Sequence, residues 1–330
     1  MNKIEERNYS IDILRIILMF LIVMHHCIWH GYHFPVVRTP VSDYFLTLSG
    51  SFGRMATGTF FAISGYFLYN NTKIKLEKIL KLLGLAFLVE ITVIFFRIFA
   101  GTITYDKIIE TLFYSIENYW FLLAYLIVYL LHPALNSFVS NKKIKNIVTI
   151  CILYFGLISS LYINVFFTSF WIDLFFCILF YLLGIKLRDI KDLPPVWLSI
   201  LISVLAVMVG VLLNINLHHL ISFNNIISVL FIMMAFLKIK SEKLSIISKI
   251  IPSIVVFGVY IITEEPYIRN LLWKNDITLT IYQNNHPAAY FFLYSVIVFL
   301  ISLVISIFSY QFINLPIFIE ERRLYCDRKC

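Results

Sequence analysis

Apolar residues run along this chain in long blocks, without the alternation of half-buried strands. The blocks fall at approximately 11–30, 52–70, 79–100, 119–136, 146–164, 167–187, 196–214, 221–237, 248–263 and 288–313. Each approaches the ~20 residues that a helix needs to cross a bilayer. Helices are the expected form, because lipid offers backbone N–H and C=O groups no partners, and the two-residue pattern of a membrane barrel is missing. The pattern predicts an all-α fold: a polytopic integral membrane helical bundle of about ten transmembrane helices, forming one domain over 1–330. Connections are short, the longest outer ones being about 31–51, 101–118 and 264–287. The first block follows Lys3 and Arg7, carries two histidines and lacks a small-residue cleavage site, so it is expected to stay as an uncleaved first helix.

Composition agrees with this pattern. Of 330 residues, 60% are hydrophobic and only 14% charged, whereas a soluble domain is nearer half apolar and a quarter charged. A secreted soluble domain and a disordered chain are excluded. The net charge of +8 points to anionic partners only until the charges are located. With the N-terminus placed in the cytoplasm, the inner segments hold 20 of the basic residues and the outer ones 4, namely Arg38, Lys107, Arg269 and Lys274. Arg15, Arg54 and Arg97 lie within or at the edges of the blocks. This asymmetry predicts an even number of spans in a plasma or inner membrane, with both termini cytoplasmic. The positive charge is then a topological device facing the lipid bilayer, and no nucleic-acid partner is expected.

Several other features are expected to be bland. Cys27, Cys151 and Cys177 sit in apolar blocks, and Cys326 and Cys330 in the basic tail, with no CxxC pair. They read as free thiols. Asn70-Asn71-Thr72 has the form of a glycosylation sequon but falls on the inner side. His218 and His219 lie in an outer loop without a third ligand at suitable spacing, so no metal site is expected.

Function is sought among polar residues inside the membrane, where burial is costly. Arg15 and His26 are eleven residues apart, almost three helical turns, so they share one face ~16 Å apart along the axis. Asp12 and His30, spaced three and four residues from them, join the stripe, while His25 points about 100° away. An arginine near the inner end can hold phosphate from a cytoplasmic donor. A histidine deeper on the same face can transfer protons or act as a nucleophile. The structural alternative is an Asp12–Arg15 ion pair with His26 as a satisfied core histidine. In the second block, Gly50, Gly53, Gly58, Ser64 and Gly65 form a face for close helix packing, with Ser64 as a candidate substrate contact. Glu90 and Arg97, about two turns apart, share a face of the third helix. Glu90 can either orient the His26 imidazole, as carboxylates do in triads, or pair structurally with Arg97. Asp173 is expected near the outer end of its helix, without a special role.

Tyr9 to His26, with its Asp-x-Leu-Arg core and a histidine eleven beyond the arginine, resembles the opening of the acyltransferase 3 family. Phe60 to Phe67 resembles that family's second-helix signature. Trp120 to Tyr125, with Tyr129, Pro133, Leu135 and Asn136, resembles its fourth-helix pattern. Tyr260 to Trp273, with Glu264, Pro266, Tyr267 and Arg269, resembles the segment that ends its ninth helix. One position departs: where similar members often carry histidine, this chain has Thr263, which does not titrate near neutral pH. Any role for a second histidine there is put in doubt, while Glu264 and Glu265 remain at the outer rim, as acceptor contacts or as solvated acids.

The resemblance implies a membrane O-acetyltransferase. It would move an acetyl group from cytoplasmic acetyl-CoA, a donor substrate with no bound cofactor, to a hydroxyl of a surface polysaccharide. On this expectation Arg15 binds the donor phosphates, with Asp12 and Ser64 as weaker candidates. His26 acts as general base or transient acyl carrier, and Glu90 and Glu264 are further catalytic candidates. The reading from another class is a transporter or exporter of a glycan or polar lipid, which also needs intramembrane polar groups. Matched inverted halves with broken helices are not visible in the chain.

Overall fold

The computed structural model describes residues 8–31, 40–104, 107–111, 118–161, 170–213, 222–240, 242–275, 277, 280 and 287–327. Every long regular element among them is an α-helix. They are α1 (Tyr9–Gly31), α2 (Pro40–Leu68), α3 (Leu76–Phe99), α4 (Trp120–Phe138), α5 (Lys142–Leu161), α6 (Phe170–Leu187), α7 (Val196–Leu212), α8 (Phe223–Lys238), α9 (Ser245–Ile250), α10 (Ser253–Glu264), α11 (Pro266–Trp273) and α12 (Pro287–Asp327). His218 and His219 lie outside the described residues.

Among the described residues, α1, α3, α4, α6 and the Ala289–Asn314 part of α12 are each long and apolar enough to cross a membrane. A sixth crossing results if α8 and the following Glu242–Ile250 segment, bent by 103°, form one span. The tally of about ten holds only if the shorter or more polar helices are counted too. α2 carries Asp43, Arg54 and many small polar residues, and α5 starts on lysines. α7 and α10 have 17 and 12 residues. The block expected at 248–263 is broken. Pro252 has no N–H for a helical bond and pushes Ile251 out of the helical region (φ −118°, ψ 77°), so α9 stops and α10 starts afresh at Ser253.

α1 is central. In its apolar stretch 61% of residues are buried, as in α6, against 39% in α3, α4 and α12. It packs on α2, α10 and α12. Outward faces are apolar: Phe95, Phe96 and Phe99 of α3 and Phe308 of α12 are exposed, as a lipid-facing surface requires and a water-facing one seldom tolerates. The small residues of α2 let backbones meet. A Cβ at Gly65 would collide with the Tyr181 carbonyl of α6, and one at Gly184 with the Ala62 carbonyl of α2. The crossing is thus reciprocal, one glycine from each helix. Beside it, Asn136 of α4 accepts from the Tyr181 hydroxyl at 2.8 Å and donates to the Leu68 carbonyl at 2.8 Å.

Candidate active site

The start of α1 is anchored from both sides. The Asn8 side chain accepts from the Ser10 N–H at 3.1 Å, and the Ser10 hydroxyl donates to the Ile239 carbonyl at 2.7 Å, beyond the end of α8. Asp12, in the first turn where a negative charge suits the helix dipole, binds Arg15 Nη1 at 2.5 Å. Its other carboxylate oxygen accepts from the Ser248 hydroxyl of α9. Asp12 is therefore committed to holding Arg15 and α9. Arg15 borders a cavity of about 120 Å³, whose polar lining also includes Ser64, Lys78 and Tyr125, between apolar walls such as Phe60, Leu82 and Phe257. The Ser64 hydroxyl donates back to the Phe60 carbonyl at 3.1 Å.

At the other end of the same face His26 is buried. Its Nδ1 lies 3.1 Å from Glu264 Oε1, at the end of α10. One turn on, His30 Nε2 meets the same oxygen at 2.9 Å in good hydrogen-bond geometry. With Glu264 ionised, that bond assigns the His30 proton to Nε2. The His26 contact is off-line for a hydrogen bond, so its attraction to Glu264 is Coulombic and grows when the imidazole is protonated. Arg269 Nη1 stands 3.6 Å from Glu264 Oε2, and the same guanidinium donates to Asn118 Oδ1 at 3.3 Å. Two imidazoles and one guanidinium thus surround one buried carboxylate.

The break after Glu264 makes this possible. Glu265 ends α10 and caps α11, accepting the Ile268 N–H at 2.6 Å, and Pro266 occupies the first turn of α11. Glu265 is thereby occupied in the backbone turn, while Glu264 faces the histidines. Thr263 bonds back to the Val259 carbonyl at 3.0 Å.

Glu90 is not next to the imidazole. Its carboxylate accepts from the Tyr119 hydroxyl at 2.5 Å. The Tyr119 ring adjoins Tyr260 (6.4 Å between centroids), which adjoins His26 (5.9 Å). Glu90 thus lies two side chains away from His26. Arg97 lies over the Tyr267 ring at 5.2 Å. His25 turns aside as expected, donating from Nδ1 to the Gly50 carbonyl at 2.9 Å and stacking on Trp29, over whose ring Arg54 also lies at 5.7 Å. No cluster of His, Cys, Asp and Glu among the described residues could hold a metal ion.

Lys78 and Tyr119 did not stand out in the sequence, because topology already explains the lysine's charge and Tyr119 merely opens an apolar block. Arg269 and Tyr260 carried a signal, since both fall in the segment around Glu264 that resembles a known pattern.

A face with a cation-lined cavity at one end and a buried histidine–carboxylate group at the other can hold an anionic donor and move a proton ~16 Å away. A family model described as an acyltransferase domain matches residues 8–307. The chain belongs to the acyltransferase 3 family. The match covers all four segments that carried the resemblance, and it makes this protein a membrane acyltransferase. No curated protein and no solved structure matches the chain.

Proposed function

We propose that this acyltransferase moves an acetyl group from cytoplasmic acetyl-CoA to a hydroxyl of a cell-surface polysaccharide. The observation that carries the proposal is that one face of α1 places Arg15 at the cavity and His26 against Glu264, with the apolar Leu18, Met19 and Ile22 between them. Donor phosphates are held at the Arg15 end, and the pantetheine arm runs along the face toward His26. His26 takes the proton of the acceptor hydroxyl as its oxygen attacks the thioester carbonyl. The new C–O ester bond forms, the C–S bond breaks, and the imidazolium returns its proton to the leaving thiolate. Glu264 stabilises the imidazolium, and His30 and Arg269 hold Glu264 in place.

The excess of basic residues in the inner segments supports a cytoplasmic N-terminus in the plasma or inner membrane, which puts the Arg15 end within reach of CoA. The His26 end then faces the side on which surface glycans are assembled. The test is comparison of O-acetyl signals in surface polysaccharide from cells with and without the gene, together with transfer of label from acetyl-CoA by purified protein. Unchanged polymer and no consumption of acetyl-CoA would overturn the proposal.

A further inference from the structure

Lys78 occupies the first turn of α3 and lines the same cavity as Arg15, from a different helix. Its ammonium donates to the Tyr125 hydroxyl at 2.6 Å and lies 5.2 Å and 4.7 Å from the ring centroids of Tyr125 and Tyr129. Those rings are stacked one turn apart on α4. Their placement is fixed from the backbone. The Tyr129 hydroxyl accepts the Lys75 N–H at 3.1 Å. Pro133 lacks the N–H that would bond the Tyr129 carbonyl, which accepts from His132 Nδ1 instead.

The two cations of the cavity differ in what neutralises them. Arg15 is matched by Asp12. Lys78 forms no ion pair among the described residues, and the acid nearest in sequence, Glu77, is bound by Lys81 at 2.7 Å. A hydroxyl oxygen and two π-faces orient an ammonium without cancelling its charge. The surroundings add to the positive potential. Lys75, at the N-cap of α3, makes no side-chain cap, so the positive end of the helix dipole lies beside Lys78 without a side-chain acceptor. Arg15 and Lys78 both bear electrostatically on the Tyr125 hydroxyl. The cavity, about 120 Å³, takes a phosphate-sized group rather than a whole nucleotide.

We propose that Lys78, in partnership with Arg15, is the anion-binding residue for a phosphate of the donor, and that Tyr125 and Tyr129 hold its ammonium ready. The inference rests on the CoA reading above. The same chemistry would suit the headgroup of an anionic lipid, but a cavity shared with Arg15 between α1, α2, α3, α4 and α10 favours the donor.

The experiment measures CoA binding to purified protein in nanodiscs of zwitterionic lipid, at low and high ionic strength. The proteins are wild type, Lys78→Arg, Lys78→Gln (which keeps a donor for Tyr125) and Lys78→Met (which keeps the apolar stem). The expected result is a roughly ten-fold weaker affinity in the Gln and Met variants, with a flatter salt dependence because one screened contact is gone, and recovery in Lys78→Arg. Wild-type affinity in Lys78→Gln, the outcome for a lipid-headgroup site, overturns the inference and leaves the donor reading intact. Weaker binding with an unchanged salt dependence also overturns it, by making Lys78 merely structural. Absence of CoA binding to wild type overturns the donor reading itself.

Discussion

His30 of α1 and Glu264 of α10 meet at 2.9 Å across 234 residues of sequence. The pair decides which carboxylate serves His26, because the Glu264 oxygen that His30 holds also lies 3.1 Å from His26 Nδ1. Glu264→Gln keeps the shape and removes the charge that stabilises a protonated His26. Its expected effect is a fall in turnover of roughly 10²-fold, the usual scale for an assisted proton transfer, with donor affinity little changed. His30→Leu is expected to lower turnover less, and His30→Gln, which restores a donor to Glu264, to recover part of it. Turnover and KM for acetyl-CoA, measured separately, check both.

His26→Ala is expected to abolish acyl transfer while the protein still inserts and accumulates. The side chain is buried, and when it is removed its ionic partner Glu264 still keeps His30 and Arg269. Normal ester content in cells that contain only this variant would refute the catalytic role.

Arg15→Ala is expected to act on the donor. The loss removes a cavity cation and the arginine that Asp12 binds, while Asp12 keeps its bond from Ser248. KM for acetyl-CoA should rise about ten-fold or more, in line with a lost charged contact of ~1.4 kcal/mol or more, while turnover at saturation falls less. An unchanged apparent affinity refutes the assignment.

Gly65→Val and Gly184→Val are expected to harm folding rather than chemistry. Each places side-chain atoms where the partner helix's carbonyl already lies, and forced overpacking costs about 1–3 kcal/mol or more. Both should lower the amount of folded protein in the membrane, seen as aggregation on size-exclusion chromatography in detergent.

Asn136→Leu removes the bonds to Tyr181 and to the Leu68 carbonyl. Interhelical hydrogen bonds in membranes are worth about 0.6–2 kcal/mol each, so thermal stability should fall measurably while donor affinity holds. A variant as stable as wild type would show that the network contributes nothing.

Much of this arrangement is written in local sequence. Hydropathy marks the helices, because lipid demands long apolar runs, and the eleven-residue interval from Arg15 to His26 follows from helical pitch alone. Glu264 and Glu90 could not be told apart that way. Each sits at a plausible depth, and only the crossing of α10 against α1 and the capping role of Glu265 bring Glu264 to the histidines. The break at Pro252 was visible as a proline but hidden inside an otherwise continuous apolar run. The early start of α2 was masked for the opposite reason, since its first turns hold too many small polar residues for hydropathy to register them. Lys78 was explained too readily: a lysine at an inner rim satisfies the topology rule whether or not it also binds anything.

Residues 15 to 26 contain neither glycine nor proline, and they lie within one unbroken helix. The spacing between anchor and reactive group is therefore a fixed gauge of ~16 Å. If Arg15 and His26 act as proposed, a molecule held at Arg15 reaches His26 only when a flexible arm of that length separates its charge from its acyl group. On the donor role proposed for Arg15, small acyl phosphates, in which the two are adjacent, would fail by length alone.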